Sequence, residues 1–334
     1  MAVPTSSEAM SSVRPLGRYG LTAAPVSFGG APIGNLAQPV TPDQARLAVE
    51  AAWDTGQRYF DVAPHYGLGL AEQRLGEALA GKPREDYVVS TKVGRPLVET
   101  DQERLDTEGF AVTSSLVRQR DYSRDGILRS LEASLKRLNM EHVDVVFVHD
   151  PDDHLEVALE EAFPTLEELR RQGVICSYGA GMNQADMLAT FIQHTDVDVV
   201  MCAGRYTLLD RSAAALLDLA EARGVSVIAA GVFNSGLLAL DVPSPTTTFD
   251  YRPVSDELLD RVRRLAELCR SFGVSLAAAA AQFPLRRAAV ASVCIGARSA
   301  EQVHRNAQLF DQPVPHELWR AIDHHLAAAG RPDE

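Results

Sequence analysis

Four side chains that can hold or move a proton stand at or just beyond short apolar runs of this chain. Asp61 lies in the run Tyr59–Val62, with Tyr66 five residues further on, Lys92 follows Tyr87–Thr91, and His149 follows Val143–Val148. Lys92 is the most informative of them, because only three lysines (Lys82, Lys92 and Lys136) occur among 32 basic residues. Its stem starts inside apolar packing, where an unpaired ammonium is costly, and Asp61 is the expected partner. A phenol titrates near pH ~10 when unperturbed, and a nearby ammonium favours the phenolate, so Tyr66 beside Lys92 is expected to titrate lower. A tyrosine tuned in this way can exchange a proton with a carbonyl oxygen or a hydroxyl. His149 can hydrogen-bond the same oxygen, and His65 is a candidate lining residue of the substrate pocket.

These groups need a scaffold that brings strand ends together. Runs without two-residue alternation read as parallel strands covered on both faces: Pro25–Phe28, Tyr59–Val62, Tyr87–Thr91, Val143–Val148, Val174–Tyr178, Val199–Cys202, Val225–Ala230 and Ser292–Ile295. Helical patterns lie between and after them, near 43–55, 70–80, 125–138, 156–172, 184–194, 211–223, 256–272 and 300–310. In the third, Ile127, Leu128, Leu131, Leu135 and Leu138 recur at three and four residues behind Ser123 as N-cap. Eight strand–helix units predict an α/β fold of the (β/α)8 TIM-barrel type, in which reactive groups gather at the C-terminal strand ends. A doubly wound sheet would carry G-x-G-x-x-G after its first strand. Gly29-Gly30-Ala31-Pro32-Ile33-Gly34 has a proline where the helix should begin. Three additions are expected: a short hairpin over 14–22 closing the barrel bottom, a charge-mixed insertion loop over 94–123 above the active site, and an extra C-terminal helix. Residues 1–13 read as a disordered tail and 14–334 as one catalytic domain.

With 46% hydrophobic and 23% charged residues the composition is that of a globular protein. A net charge of -13 repels polyanions, so neither nucleic acid nor an anionic membrane is an expected partner. The N-terminal MAVPTSSEAMSSVRP lacks the basic-then-apolar order of a signal peptide, and no apolar stretch is long enough for a membrane helix. Cys176, Cys202, Cys269 and Cys294 are widely spaced and read as reduced thiols, which suits the cytoplasm. The run His149-Asp150-Pro151-Asp152-Asp153-His154 is too tightly consecutive to converge on an ion, so no metal is expected.

The segments Phe60-Asp61-Val62-Ala63-Pro64-His65-Tyr66-Gly67, Ser90-Thr91-Lys92 and Val148-His149-Asp150 resemble the Asp/Tyr/Lys/His tetrad of the aldo-keto reductases. The resemblance runs from about residue 14 to 328. DVAPHYGLGLAEQRLG, DYSRDG, GRYTLLD and GVFNSGLL are most similar to the branch of aldose 1-dehydrogenases and pyridoxal 4-dehydrogenases. It implies hydride transfer between a nicotinamide and a substrate carbon. Tyr66 would be the general acid or base, Lys92 paired to Asp61 would tune it, and His149 would place the substrate oxygen. It further implies NAD(P) held by Asn183, Arg205, Tyr206, Gly231, Phe233, Gly236, Leu238, Gly296, Arg298, Gln302 and Asn306. The family's Ser-Asn pair is here Met182-Asn183, its stacking tyrosine aligns near Ala230, and Phe233 is the nearest substitute ring. Arg298 suits a 2′-phosphate and leans the reading to NADP. The substrate expected is an aldose of the L-fucose or D-arabinose kind, oxidised at C1 to its lactone, with pyridoxal or a general aldehyde as alternative. Family barrels are often monomers or weak homodimers. Two other readings remain: a Schiff-base lyase using Lys92, disfavoured because Asp61 keeps the amine charged, and a low-turnover regulatory subunit of the potassium-channel β kind.

Overall fold

The computed structural model describes residues 13–240, 248–249 and 252–328. The predicted tail therefore lies outside the described residues except for Val13. Eight parallel strands close into a barrel in sequence order: β1 (Val26–Gly29), β2 (Tyr59–Asp61), β3 (Val88–Val93), β4 (Val145–His149), β5 (Ser177–Met182), β6 (Val199–Ala203), β7 (Ser226–Ala230) and β8 (Val290–Gly296). The surrounding helices are α1 (Pro42–Asp54), α2 (Leu70–Leu79), α3 (Arg124–Leu138), α4 (Phe163–Arg171), α5 (Ala185–His194), α6 (Ala214–Arg223), α7 (Asp256–Ser271), α8 (Leu276–Gln282), α9 (Ala300–Asp311) and α10 (His316–Ala328). α10 is the expected extra C-terminal helix. Ser123 caps α3 as predicted, its hydroxyl accepting from the Gly126 N–H.

Side-chain alternation decides what points inward. On β4, Val145 and Phe147 join an interior cluster with Tyr59, Val199, Met201 and Ile228, while Val146 and Val148 face the helices. The same parity carries Asp61, Lys92 and His149 into the barrel, because each is an even number of residues from Tyr59, Val88 and Val145 respectively. The pairings Asp61–Ser90, Lys92–Phe147 and His149–Gly181 set all three near the C-terminal rim. The opposite end is closed by a hairpin, Arg14–Pro15 with Thr22–Ala23, whose Leu16 is buried in the interior cluster.

Three expectations are corrected. β5 lies three residues later than Val174–Tyr178, at Ser177–Met182. Its Gly179 and Gly181 resemble loop residues, yet a Cβ at Gly179 would fall 1.6 Å from the Val199 carbonyl oxygen, so glycine is what lets β6 approach. The single helix expected over 156–172 begins as Leu155–Val157, widens to a π-turn at Ala158–Ala162 and continues as α4. Pro164 has no N–H to offer the preceding turn, which opens the ladder there. The 94–123 insertion is not an irregular loop: Leu97–Leu105 pairs antiparallel with Thr113–Arg118.

Below the barrel, the fully buried Asp198 carboxylate accepts from Arg18 (3.0 Å) and Arg170 (2.8 Å) and from the Tyr178 N–H, tying the hairpin and α4 to the strands. Removing one partner strands the other charges. Asp198→Ala is expected to cost about 3–5 kcal/mol in chemical denaturation. Asp61, Lys92 and His149 lie at the opposite end of the barrel, so activity there should be unchanged in the folded variant.

Candidate active site

Lys92 Nζ donates to Asp61 Oδ2 at 2.6 Å and to the Val62 carbonyl at 3.0 Å, and both charged side chains are 2% exposed. The second carboxylate oxygen accepts from Ser90 Oγ at 2.7 Å, and Ser90 accepts from Tyr59 Oη at 3.0 Å. Asp61 is thereby fixed by a chain of donors within the barrel wall. Burial alone would lower the Lys92 pKa, but Asp61 and Tyr66 hold it above the ordinary value, so the ammonium persists across physiological pH.

Tyr66 sits on the turn between β2 and α2. Gly67 makes that turn possible, since its φ is +65° and a Cβ would lie 2.1 Å from the Gly34 carbonyl oxygen. The phenol opens onto the cleft with Lys92 Nζ 4.7 Å from its ring centroid. The lowering expected from the ammonium is present but smaller than the effect of burial, which leaves Tyr66 above the usual phenol range. His149 stands 6.0 Å from the Tyr66 ring, centroid to centroid, and His65 5.9 Å. Burial, with Lys92 next, pushes His149 well below its ordinary pKa, and burial with Arg118 and Arg95 pushes His65 down to about 3. Both imidazoles are therefore neutral hydrogen-bonding groups, and the Nδ1 atom of each is buried without a protein partner.

The site opens into a cleft of about 1580 Å3. Of the predicted cofactor residues, Phe233, Gly236, Gly296, Arg298, Gln302 and Asn306 line it. Gly236 has φ +92°, a backbone conformation that L side chains rarely adopt, and a Cβ on Gly296 would meet Pro32 at 2.8 Å, so only Gly296 is a position that a side chain would crowd. The Arg298 N–H donates to Gln302 Oε1, and Ser299 caps α9. Asn183 is exposed beyond β5, and Gly231 (φ +63°) is exposed beyond β7. Three predicted side chains lie elsewhere. Tyr206 stacks on Phe283 at 5.1 Å, Leu238 is fully buried in the apolar layer near α7, α8 and α10, and Arg205 reaches Asp210 at 3.4 Å. Packing claims the first two because their long apolar surfaces are adjacent to that layer.

Sequence reasoning missed Phe110, Glu108 and Arg305, which also line the cleft. Arg305 lies three residues after Gln302 and one before Asn306, a helical spacing that placed it near that face. The turn signal Asp106-Thr107-Glu108-Gly109 between two strand-like stretches marked the hairpin tip. Two guanidinium groups, two amides and a helix N-terminus at one end of a cleft, with a proton-transfer set at the other, match the donors that a phosphate-bearing dinucleotide requires.

A closed barrel with Asp, Tyr, Lys and His gathered at its C-terminal rim beside such a cleft defines an oxidoreductase of the barrel type. The chain belongs to the aldo/keto reductase family, whose profile matches residues 25–327. It is 43% identical to a D-threo-aldose 1-dehydrogenase of a Pseudomonas species over 94% of this chain and 97% of that one. It is 39% identical to a pyridoxal 4-dehydrogenase of Microbacterium luteolum, covering 93% and 96%. The structure of a glycerol dehydrogenase from Gluconobacter oxydans superimposes with a TM-score of 0.78 at 25% identity, covering 98% of each chain. The protein is an oxidoreductase of a family that uses NAD(P)H, and no helix among its described residues is long and apolar enough to cross a membrane.

The neutral histidines carry a pH signature. In the unfolded chain they protonate below pH ~6.5, but in the native site only at much lower pH, so the unfolded state binds more protons and native stability falls as pH drops through 6.5. Each contributes at most about 1.4 kcal/mol per pH unit. The melting temperature should fall between pH 7 and 5, and His65→Asn should flatten that fall. A melting temperature equally pH-independent in both proteins would contradict the assignment.

Proposed function

We propose that this protein oxidises the C1 hydroxyl of a cyclic aldose of the L-fucose or D-arabinose kind to its lactone, with NADP⁺ preferred over NAD⁺. The observation that carries the reading is the buried Lys92–Asp61 pair under the Tyr66 phenol, at one end of a cleft whose other end presents Arg298 and Arg305. The 43% identity to an aldose 1-dehydrogenase supports the substrate class.

Arg298 and Arg305 would meet the 2′-phosphate and pyrophosphate region, Gln302 and Asn306 the adenosine, and backbone N–H groups of Gly296 and the α9 terminus the phosphates. A nicotinamide held there would supply the acceptor for the hydride leaving C1. Tyr66, as phenolate, takes the proton of the C1 hydroxyl while the C1–O bond gains double-bond character. The Lys92 ammonium stabilises the phenolate, and Asp61 keeps that ammonium charged and in place. Neutral His149 hydrogen-bonds the same oxygen and fixes its distance to Tyr66. In the reverse direction Tyr66 donates its proton to the carbonyl oxygen. Substrate and cofactor displace water from the phenol, which strengthens the pull of Lys92 on it.

An absorbance screen at 340 nm, crossing NAD⁺ and NADP⁺ with aldoses and pyridoxal, tests the substrate class. Turnover of pyridoxal without any aldose would favour the alternative suggested by the second relative. Tyr66→Phe should lower kcat by about 10²–10⁴-fold with little change in cofactor affinity, and near-normal turnover would sink the mechanism. Arg298→Ala should weaken NADP⁺ about tenfold and NAD⁺ little in fluorescence titration, the loss of one charge-assisted contact.

A further inference from the structure

The proton-transfer set accounts for the reacting oxygen but not for the wall opposite it, which the turn of the 97–118 hairpin supplies. That turn is held rigidly. The Ala37 N–H donates to the Gly109 carbonyl at 2.8 Å and the Ala111 N–H to the Asn35 carbonyl at 2.9 Å. Asp106 accepts from the N–H groups of Glu108 and Phe110 and forms a buried ion pair with Arg118, which donates in turn to the His65 carbonyl at 2.7 Å. Phe110 is thereby laid beside the reactive phenol, 6.2 Å from the Tyr66 ring at 29°, and edge-on to His65 at 5.3 Å.

Glu108 is different from its neighbour Asp106. Its carboxylate lines the cleft, 43% exposed, with His65 Nδ1 and Arg95 at 3.6 Å and Arg118 at 3.7 Å. These are separations beyond ordinary hydrogen bonds. A carboxylate whose work was to anchor the hairpin would close on an arginine, as Asp106 does. Glu108 instead stands near two guanidinium groups without closing on either, and is left with acceptor capacity facing the cleft, next to the unpartnered His65 Nδ1. An apolar ring margin beside an acceptor-rich carboxylate is the complement of a pyranose, which has C–H and hydroxyl edges.

We propose that Glu108 and Phe110 form the specificity wall for a polyhydroxylated ring. Glu108 accepts hydrogen bonds from hydroxyls remote from C1, and the small part of Phe110 that reaches the cleft, 4% of the residue, borders the C–H side of the ring. This rests on the sugar-oxidation reading and deepens it. A substrate lacking those hydroxyls would leave the Glu108 carboxylate desolvated and unpaired, so the wall rejects hydroxyl-poor compounds as well as holding sugars.

The test compares wild type, Glu108→Gln and Glu108→Ala on the preferred aldose of the screen and on its deoxy analogues, with NADP⁺ affinity and thermal melting measured alongside. Glu108→Ala should raise KM for the parent aldose about 10–100-fold, the range for losing a polar contact to substrate hydroxyls. Its kcat should stay within about threefold and its NADP⁺ affinity unchanged, as expected when a contact equal in ground and transition state is lost. One deoxy analogue should be poor for wild type yet no worse than the parent sugar for Glu108→Ala, and Glu108→Gln should lie between. An unchanged KM in both variants, or the same relative loss on the parent and on every deoxy analogue, would overturn the inference. Wild type that oxidises no aldose overturns the sugar reading and this wall with it. Aldose turnover insensitive to Glu108 overturns the wall alone.

Discussion

An ammonium and a carboxylate buried together in a barrel interior set the terms for everything around them. Lys92 and Asp61 are each 2% exposed and 2.6 Å apart. Such a pair is weak support for stability, because desolvation consumes much of the attraction. Its geometry must therefore be maintained by the rest of the fold. The Ser90 and Tyr59 hydroxyls satisfy the carboxylate, the Val62 carbonyl takes a second ammonium proton, and Tyr66 lies over the remaining direction. On the proposed mechanism the pair matters for what it does to Tyr66, a phenol that burial raises and the Lys92 charge lowers.

The barrel supplies that geometry through parity and register. Inward alternation on β2, β3 and β4 delivers Asp61, Lys92 and His149 to the barrel interior near its C-terminal rim, while a glycine-permitted turn returns Tyr66 over them. Burial, with Lys92 next for His149 and Arg118 and Arg95 for His65, keeps the neighbouring histidines neutral, so the site holds its proton on the phenol and its hydrogen bonds on the imidazoles. The cleft extends from there to α9, where basic and amide side chains gather at a helix N-terminus. On the proposed reading one end serves proton transfer and the other holds phosphate.

Most of this arrangement was legible in the chain. Lys92, in a sequence that uses arginine almost everywhere else, marked the centre, and apolar runs located the strands around it. β5 was misplaced because Gly179 and Gly181 signal loops locally, whereas close approach of β6 demands them as strand residues. The hairpin was hidden because its residues are mostly polar and its pairing is with itself, leaving no core face to read. Tyr206 and Leu238 show the converse: a family motif marked them, but an adjacent apolar layer claims their side chains. The net effect on Tyr66 was not legible, since burial and the Lys92 charge oppose each other and only the folded geometry decides which is larger.

The central claim is that Lys92 makes Tyr66 able to give up its proton. The pH dependence of kcat for aldose oxidation in Lys92→Met, set beside wild type with cofactor affinity as control, tests it most directly. The account predicts cofactor affinity close to wild type, kcat lowered by orders of magnitude, and an ionisation limb displaced to higher pH. A variant with near-normal kcat and an undisplaced limb would contradict it.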